Sequence, residues 1–210
     1  MTMANFLTSK IKKGFTLAEV LITLVVIGVI AALTIPTVVN KYKKQEVASK
    51  LKKFYSNMQQ AINMYLYSES MSPEQMLFPQ EAIGSYDKTI EFWDKTIGKY
   101  LVTVKKSSAA YNNYPKIHLA DGSTFIMRTD SVNTIFVFYC TNSSCPVESF
   151  DGKTSFLFTI YKGKILTSYT TDLLSRATCL NDCRKNSVQR HHCSRLIQLD
   201  GWQIKDDYPW

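Results

Sequence analysis

The sequence predicts an α+β protein in which a long N-terminal helix packs on a small antiparallel sheet. An uncharged run over 20–39 leads into apolar residues spaced three and four apart as far as Tyr65, the period of one helical face. Beyond Pro115 the pattern changes to short runs rich in β-branched and aromatic residues, separated by turn dipeptides. A sheet laid against the amphipathic half of the helix would bury both apolar faces.

Positive charge is concentrated at the two flanks of the uncharged run. The 210 residues carry a formal net charge of +8 and are 45% hydrophobic, which excludes disorder as the main state. Three lysines lie in 1–14, and 41–53 holds six lysines and one glutamate, so 54–210 is nearly neutral. The charge therefore does not indicate a large nucleic-acid-binding surface.

The run over 20–39 is long enough to span a membrane as a helix. Its 20 residues, rising about 1.5 Å each, cover the roughly 30 Å hydrocarbon core of a bilayer. Lysine clusters on both sides argue against a buried helix of a soluble protein. The residues after Val39 do not form a signal-peptidase site, so we expect any processing to fall before the run.

Glu19 is the only charged residue between Lys13 and Lys41, and a carboxylate in or near lipid needs a partner. If the chain were cut after Gly14, the new α-amine of Phe15 would lie one helical turn away, in the same subunit or in a neighbour. The alternative is that Glu19 reaches the lipid headgroups beside a plain signal anchor.

The run KKGFTLAEVL at 12–21 resembles the processing site of type IV prepilins and of the pseudopilins of type II secretion systems. The resemblance covers 12–65 and implies a pilin-like fold. It further implies cleavage after Gly14 by a prepilin peptidase, N-methylation of Phe15, and a role for Glu19 in registering an incoming subunit in a filament.

The resemblance also implies how the chain is divided. We expect a leader over 1–14, the transmembrane half of the long helix over 15–39, its amphipathic half over 40–68 and a globular α+β head over 69–210. The N-terminus would stay cytoplasmic in a bacterial inner membrane, and the head would become part of a periplasmic or cell-surface filament. One observation opposes this orientation, because the flank at 41–53 is more basic than the leader although positive residues usually stay inside.

The helical elements can be assigned from periodicity and breakers. We expect one helix from Phe15 to near Tyr67, with a kink or local melting near Pro36. A second amphipathic helix is predicted over 87–101, followed by a loop over 107–115.

The rest of the head is predicted to be mainly strand. Asp121-Gly122 is expected to supply the positive φ angles of a two-residue hairpin turn, and Lys162-Gly163 a second hairpin. The tail at 196–210 looks like that of a subgroup of bacterial prepilin-like proteins, and its Leu199, Trp202 and Ile204 are expected to be core residues. Strands are predicted over 116–120, 123–128, 132–140, 155–161 and 164–168.

All five cysteines lie in the head, where export would make disulfides the default. We expect Cys140 to pair with Cys145 across a short loop and Cys179 to pair with Cys193, leaving Cys183 as the free thiol. No cofactor is expected.

The sequence contains two groups of residues that resemble metal ligands, and we expect neither to bind a metal. The candidate zinc ligands are Cys179, Cys183, Cys193 and the adjacent histidines His191 and His192. Their spacing matches no standard zinc site. We expect both histidines in an exposed loop near Arg190 and Arg195. A calcium loop at 145–153 would have only Glu148 and Asp151 as carboxylates, whereas calcium takes ~6 to 8 oxygen ligands.

The function that fits these features is that of a structural filament subunit, a minor pilin or a pseudopilin, and not of an enzyme, because no catalytic motif is present. Its partners would be prepilin peptidase, other pilin or pseudopilin subunits, an inner-membrane assembly platform and membrane lipid. Two alternatives stay open: a signal-anchored extracytoplasmic binding or adhesion domain, and a competence-type pilin that takes up DNA. The DNA alternative depends on a local basic patch of Arg184, Lys185, Arg190 and Arg195.

Overall fold

A six-stranded sheet and four α-helices make up most of the part of the chain that the structure, a computed structural model, describes: residues 14–109, 114–169, 173–185 and 190–210. The chain divides into two units, with the boundary between Tyr42 and Lys43. The helices are α1 (Leu17–Ser68), α2 (Tyr86–Lys95), α3 (Arg176–Arg184) and α4 (Cys193–Leu199). The strands are β1 (Thr103–Ser108), β2 (Pro115–Leu119), β3 (Thr124–Ser131), β4 (Thr134–Cys140), β5 (Ser155–Tyr161) and β6 (Lys164–Leu166).

Helix α1 is continuous over 52 residues. It is helical at Gly28 and at Pro36, so the local melting expected near the proline is not observed. From residue 47 onward it buries one face, because apolar side chains recur there at steps of three and four. These buried residues are Val47, Ala48, Leu51, Phe54, Met58, Ala61, Ile62 and Leu66.

The sheet is an antiparallel meander in the order β1-β2-β3-β4-β5-β6. Its inner face packs on the buried face of α1, and Phe54 is at the centre of that contact. The Phe54 ring centroid lies 5.4 Å from Phe125, 4.4 Å from Tyr139 and 5.1 Å from Phe158. The predicted α+β class, a long N-terminal helix packed on a small antiparallel sheet, is confirmed.

The outer face of the sheet carries a second, smaller apolar cluster. Phe136 and Phe138 of β4 pack there with Phe150, which lies in the segment between β4 and β5. The guanidinium of Arg128 lies over the Phe136 ring at 5.0 Å and is paired with Glu148. Both faces of the central strands are therefore covered.

The second helix is shorter than predicted. Helix α2 ends at Lys95 instead of continuing to residue 101, and a 3-10 turn, Ile97–Tyr100, follows it. Thr96 leaves the helical region at φ −123° and ψ −109°. A Cβ at Gly98 would lie 2.5 Å from Trp93 Nε1, so the chain turns where glycine lets the indole pack against the backbone. The prediction was too long because the apolar spacing in the sequence continues beyond Lys95, where the helix ends.

The predicted loop over 107–115 was wrong at both of its ends. Ser107 and Ser108 belong to β1, which pairs with β2, and Pro115 begins β2. Residues 110–113 of that segment lie outside the described residues. Strand β1 was missed because its sequence, TVKKSS, is polar and most of its side chains are exposed on an edge strand.

The two hairpin turns differ in length. At β2–β3 the loop has three residues, since the Leu119 amide donates to Ser123 O at 2.9 Å and only Gly122 has a positive φ, of 79°. The predicted two-residue turn at Asp121-Gly122 was therefore wrong. At β5–β6 the loop is the two residues Lys162 and Gly163, with φ of 44° and 68°.

The C-terminal tail is held by polar contacts as well as by packing. Leu199 is exposed, which corrects the expectation that it is a core residue, while Trp202 and Ile204 are half-buried against the core. Tyr208, which follows α4 in the tail, is buried; its hydroxyl donates to Gly152 O at 2.5 Å, and burial raises its pKa. Arg176 donates to Asp200 and to Asp207, which both lie in the tail.

Candidate processing and assembly site

The predicted cleavage position lies immediately before α1. Gly14, Phe15 and Thr16 are not helical, and Leu17 begins the helix. The Phe15 side chain is 90% exposed. The leader lysines Lys10, Lys12 and Lys13 lie outside the described residues. A peptide bond in an exposed, non-helical segment is geometrically open to a peptidase.

Thr16 and Glu19 close the start of α1 with reciprocal hydrogen bonds. The Thr16 amide and hydroxyl donate to Glu19 Oε2 at 2.8 and 2.9 Å. The Glu19 amide donates to Thr16 Oγ1 at 3.2 Å. This arrangement is a capping box, which satisfies two amide groups that the first turn of a helix otherwise leaves unpaired.

In the uncut chain Glu19 is therefore partnered by Thr16, a residue that the sequence analysis did not single out. The signal was present, because Thr-x-x-Glu immediately before an apolar helix is the capping-box pattern. The expected partner, an α-amine on Phe15, would exist only after cleavage. Cleavage would place that cation one residue before the cap.

The segment after Glu19 is one apolar helical surface. By length and composition, α1 could cross a membrane, and none of the side chains of its most apolar window is buried. Two hydroxyl groups within this segment are satisfied inside the helix: Thr23 donates to Val20 O and Thr34 to Ile30 O, both at 2.9 Å. Internal pairing of this kind is what a polar group in hydrocarbon requires.

One disulfide joins Cys140 to Cys145, with Cα atoms 5.4 Å apart. Cys140 ends β4, and Cys145 lies in the segment that covers the outer face of the sheet. The bond therefore fastens that covering segment to the strand it leaves.

The second disulfide joins Cys183 to Cys193, with Cα atoms 5.4 Å apart. The expected pairing of Cys179 with Cys193 was wrong, as was the expectation that Cys183 is free. Cys193 begins α4 and Cys183 lies at the end of α3, so the bond joins the facing ends of the two helices, while Cys179 lies one turn further back in α3. Cys179 is a buried free thiol, and burial raises its pKa.

The residues considered for metals are engaged in other contacts. Cys183 and Cys193 form a disulfide, and His191 and His192 are half-buried instead of exposed, with burial lowering the pKa of each. Asp151 Oδ1 accepts the amides of the three residues 153, 154 and 155 at 2.7 to 2.9 Å. Within the described ranges, no group of three or more His, Cys, Asp or Glu side chains could hold a metal ion.

The cations of the proposed DNA patch also contact this chain. The Arg184 guanidinium donates to Asp207 O at 3.1 Å and that of Arg190 to Asp151 O at 3.0 Å. Lys185 pairs with Asp182, and Arg195 donates to Gln198 Oε1. Of these contacts, only the pair of Lys185 with Asp182 offsets charge, while the three arginines keep theirs but have donors committed to neutral acceptors of this chain.

Comparison with known proteins finds two family matches. Residues 37–210 match a family of unknown function (DUF6613). Residues 9–35 match the prokaryotic N-terminal methylation motif, and this range contains Gly14, Phe15 and Glu19. No curated protein and no solved structure matches the chain. The second match confirms the resemblance to prepilins.

Proposed function

The chain belongs to the family of unknown function DUF6613 and carries the prepilin methylation motif of type IV pilins and pseudopilins, and from this premise we propose that it is a structural subunit of a filament. The filament is a type IV pilus or the pseudopilus of a type II secretion system, and the subunit is a minor pilin or a pseudopilin. The observation that carries this proposal is the match at 9–35, which ends within an exposed apolar helical surface.

Maturation begins with cleavage between Gly14 and Phe15. A prepilin peptidase removes the leader at 1–14 and methylates the new α-amine of Phe15. The exposure of Phe15 and the non-helical segment around it support this step. The mature chain then has a membrane half at 15–39, an amphipathic half at 40–68 and a head at 69–210.

Assembly uses Glu19 and the apolar surface behind it. The N-terminus is cytoplasmic and the head extracytoplasmic until an inner-membrane platform moves the subunit from lipid into the filament. There Glu19 exchanges its Thr16 hydrogen bonds for the α-amine of a neighbouring Phe15, because in hydrocarbon an ion pair between two charged groups is stronger than hydrogen bonds in which only the carboxylate is charged. The protein acts through polymerisation and performs no catalysis.

Mass spectrometry of the chain purified from membranes tests the maturation. We expect a first residue of methylated Phe15 when the prepilin peptidase is present, and an intact Met1 when a catalytically inactive peptidase replaces it. An intact Met1 in the presence of active peptidase would exclude a prepilin and favour a signal-anchored domain. A cut after Val39 would exclude both, because it removes the apolar run.

A Glu19→Ala variant tests the assembly role. We expect it to be cut and methylated like the wild-type chain but to be missing from filaments sheared from the cell surface. Glu19→Gln is the matched control for shape, and it should share the defect because the charge is what pairs with the α-amine. Normal incorporation of either variant would contradict the role of Glu19.

A further inference from the structure

Two stretches of the head carry opposite charge. Residues 54–87 contain four carboxylates and no lysine or arginine. Residues 95–120 contain five lysines and no aspartate or glutamate. Such segregation produces complementary potentials when two copies of one chain approach each other.

The acidic stretch presents exposed apolar side chains. Leu77 is 56% exposed although the next residue, Phe78, is buried and its amide donates to Val132 O at 2.8 Å. Leu77 is thus held outward by an anchored neighbour. We define the acidic surface as Glu74, Leu77, Glu81 and Ile83. Within the described part of the chain neither glutamate has an ion pair, although Glu81 is one of the carboxylates near enough to Lys88 to help raise the pKa of that lysine.

The basic stretch contains the edge strand β1. Val102 is 82% exposed and Val104 is 68% exposed, next to Lys105. Strand β1 pairs with β2 on one side and has no strand on the other among the described residues. We define the basic surface as Lys99, Val102, Val104 and Lys105. An exposed edge with two valines is an adhesive surface that proteins usually cover.

A groove of about 360 Å³ adjoins the basic surface at Val102. Its walls include the apolar side chains of Met64, Tyr100, Leu101 and Leu119. At about 30 Å³ for each water molecule this volume corresponds to roughly twelve, so the groove accepts an aliphatic side chain once that water is displaced.

The two surfaces lie at opposite ends of the sheet. Val102 precedes Thr103, which pairs with Leu119 beside the β2–β3 turn, while Leu77 lies next to the β3–β4 turn at Val132. Strand β3 separates these turns by roughly 24 Å at about 3.4 Å per residue. One copy therefore cannot satisfy its own surfaces. A contact between two different patches of identical chains is heterologous and propagates as an open assembly unless it closes into a ring.

We propose that the acidic surface of one copy docks on the basic surface of the next, with Leu77 entering the groove beside Val102 and Glu81 approaching Lys105. This proposal rests on the proposed function, because a filament subunit needs a propagating head contact. It adds the pair of surfaces that would make that contact.

Site-specific photo-crosslinking in the full chain, in membranes containing prepilin peptidase, tests the docking. A photoreactive residue in place of Val104 should give an adduct of twice the subunit mass, with the cross-linked peptide containing residues 73–83. The same residue in place of Leu199, an exposed position in α4, should not label that peptide. Absence of the homodimeric adduct at Val104, or labelling of a different protein, would overturn the proposal.

Charge reversal provides the second measurement. Lys105→Glu or Glu81→Lys alone should lower the yield of the adduct by about threefold, which is the scale of an exposed ion pair. The double variant should restore it, and a double variant no better than the singles would overturn the proposed pairing of the two residues. The mass of the N-terminal peptide is measured on the same sample. Methylated Phe15 without an adduct would overturn the docking proposal alone. An adduct between chains that keep Met1 would support docking and overturn the proposed maturation.

Discussion

Asp151 holds the turn before β5 through one carboxylate. Its Oδ1 accepts three successive backbone amides, and Oδ2 accepts the Thr154 hydroxyl at 2.7 Å. Burial opposes the charged form, but the hydrogen bonds from residues 153–155 outweigh it and lower the pKa of Asp151. The turn next to Gly152, where Tyr208 is attached, therefore depends on an ionised side chain.

An Asp151→Asn variant should lower the free energy of unfolding at pH 7 by about 1 kcal/mol, because hydrogen bonds to a charged acceptor become neutral ones. The folded pKa is depressed, so this stabilisation is fully present above the unfolded value of about 3.9 and is lost as the pH falls through the folded value. Denaturant unfolding of the full chain in detergent at several pH values measures the difference. It should be constant near neutrality and shrink below about pH 4, while Asp206→Asn, in the exposed tail, should differ little from wild type. A difference that grows on acidification would contradict this account.

Thr16 controls the start of α1 through the capping box. A Thr16→Ala variant loses both hydroxyl contacts with Glu19, which costs about 1 kcal/mol at a helix N-terminus. Hydrogen exchange of the full chain in micelles should then show the Glu19 amide exchanging about fivefold faster. Thr16→Ser keeps the hydroxyl and should exchange like wild type. Equal rates in all three chains would show that the cap does not limit fraying.

The pairing of the cysteines shows the limit of residue-level prediction. Cys140 and Cys145 are five residues apart, and their bond joins the end of β4 to the segment that follows it. Cys179 and Cys183 are both within reach of Cys193 by sequence spacing alone, and the choice depends on where α3 ends and α4 begins. Element ends are set by packing, so sequence could indicate disulfides but could not choose between these partners.

At the scale of elements, the β5–β6 hairpin is fixed by Gly163. Its φ is 68°, and a Cβ there would lie 2.8 Å from Pro73 Cα and 3.0 Å from Leu66 Cδ1. Gly122 also has a positive φ, but nothing lies within 4 Å of its added Cβ. Substitution of Gly122 would therefore introduce backbone strain alone, whereas substitution of Gly163 would introduce both backbone strain and steric crowding.

Gly122→Ala should cost roughly 1 to 2 kcal/mol from the left-handed backbone alone. Gly163→Ala should cost about 1 to 3 kcal/mol more, because the new methyl group forces the end of α1 and the following segment away from the turn. Thermal unfolding of the two full-length variants compares them directly. An equal loss of stability in the two variants would mean that the residues around Gly163, including Pro73, move to accommodate the methyl group at no measurable free-energy cost.

Apolar periodicity predicted the elements that bury an apolar face. It failed where strand pairing or a local side-chain contact determines that an element exists or where it ends. Strand β5 was predicted at its observed bounds because FLFTIY is apolar on both faces of a central strand. Strand β1 has no such pattern and exists through pairing with β2. In α2, apolar spacing continued beyond Lys95, but the contact of Trp93 with Gly98 ended the helix first.

At the scale of the whole molecule, the charge distribution opposes the expected membrane orientation. Residues 1–14 carry three lysines, whereas residues 41–53 carry a net +5 on the flank that the proposed orientation places outside. Orientation usually places the more basic flank in the cytoplasm. The proposed orientation is the opposite, because it keeps the N-terminus cytoplasmic and the head extracytoplasmic.

These two lysine clusters should therefore compete, and substitutions of equal charge can measure the balance. Alkaline phosphatase fused after Trp210 is active only when the head is outside the cytoplasm. Replacing Lys41, Lys43 and Lys44 by Gln removes three charges from the outer flank and should raise the active fraction. Replacing Lys10, Lys12 and Lys13 by Gln removes three from the leader and should lower it by about twofold, since flanking charge biases insertion without abolishing it. Equal activity in the two variants and the wild-type fusion would show that the head sets the orientation, and that neither lysine cluster does.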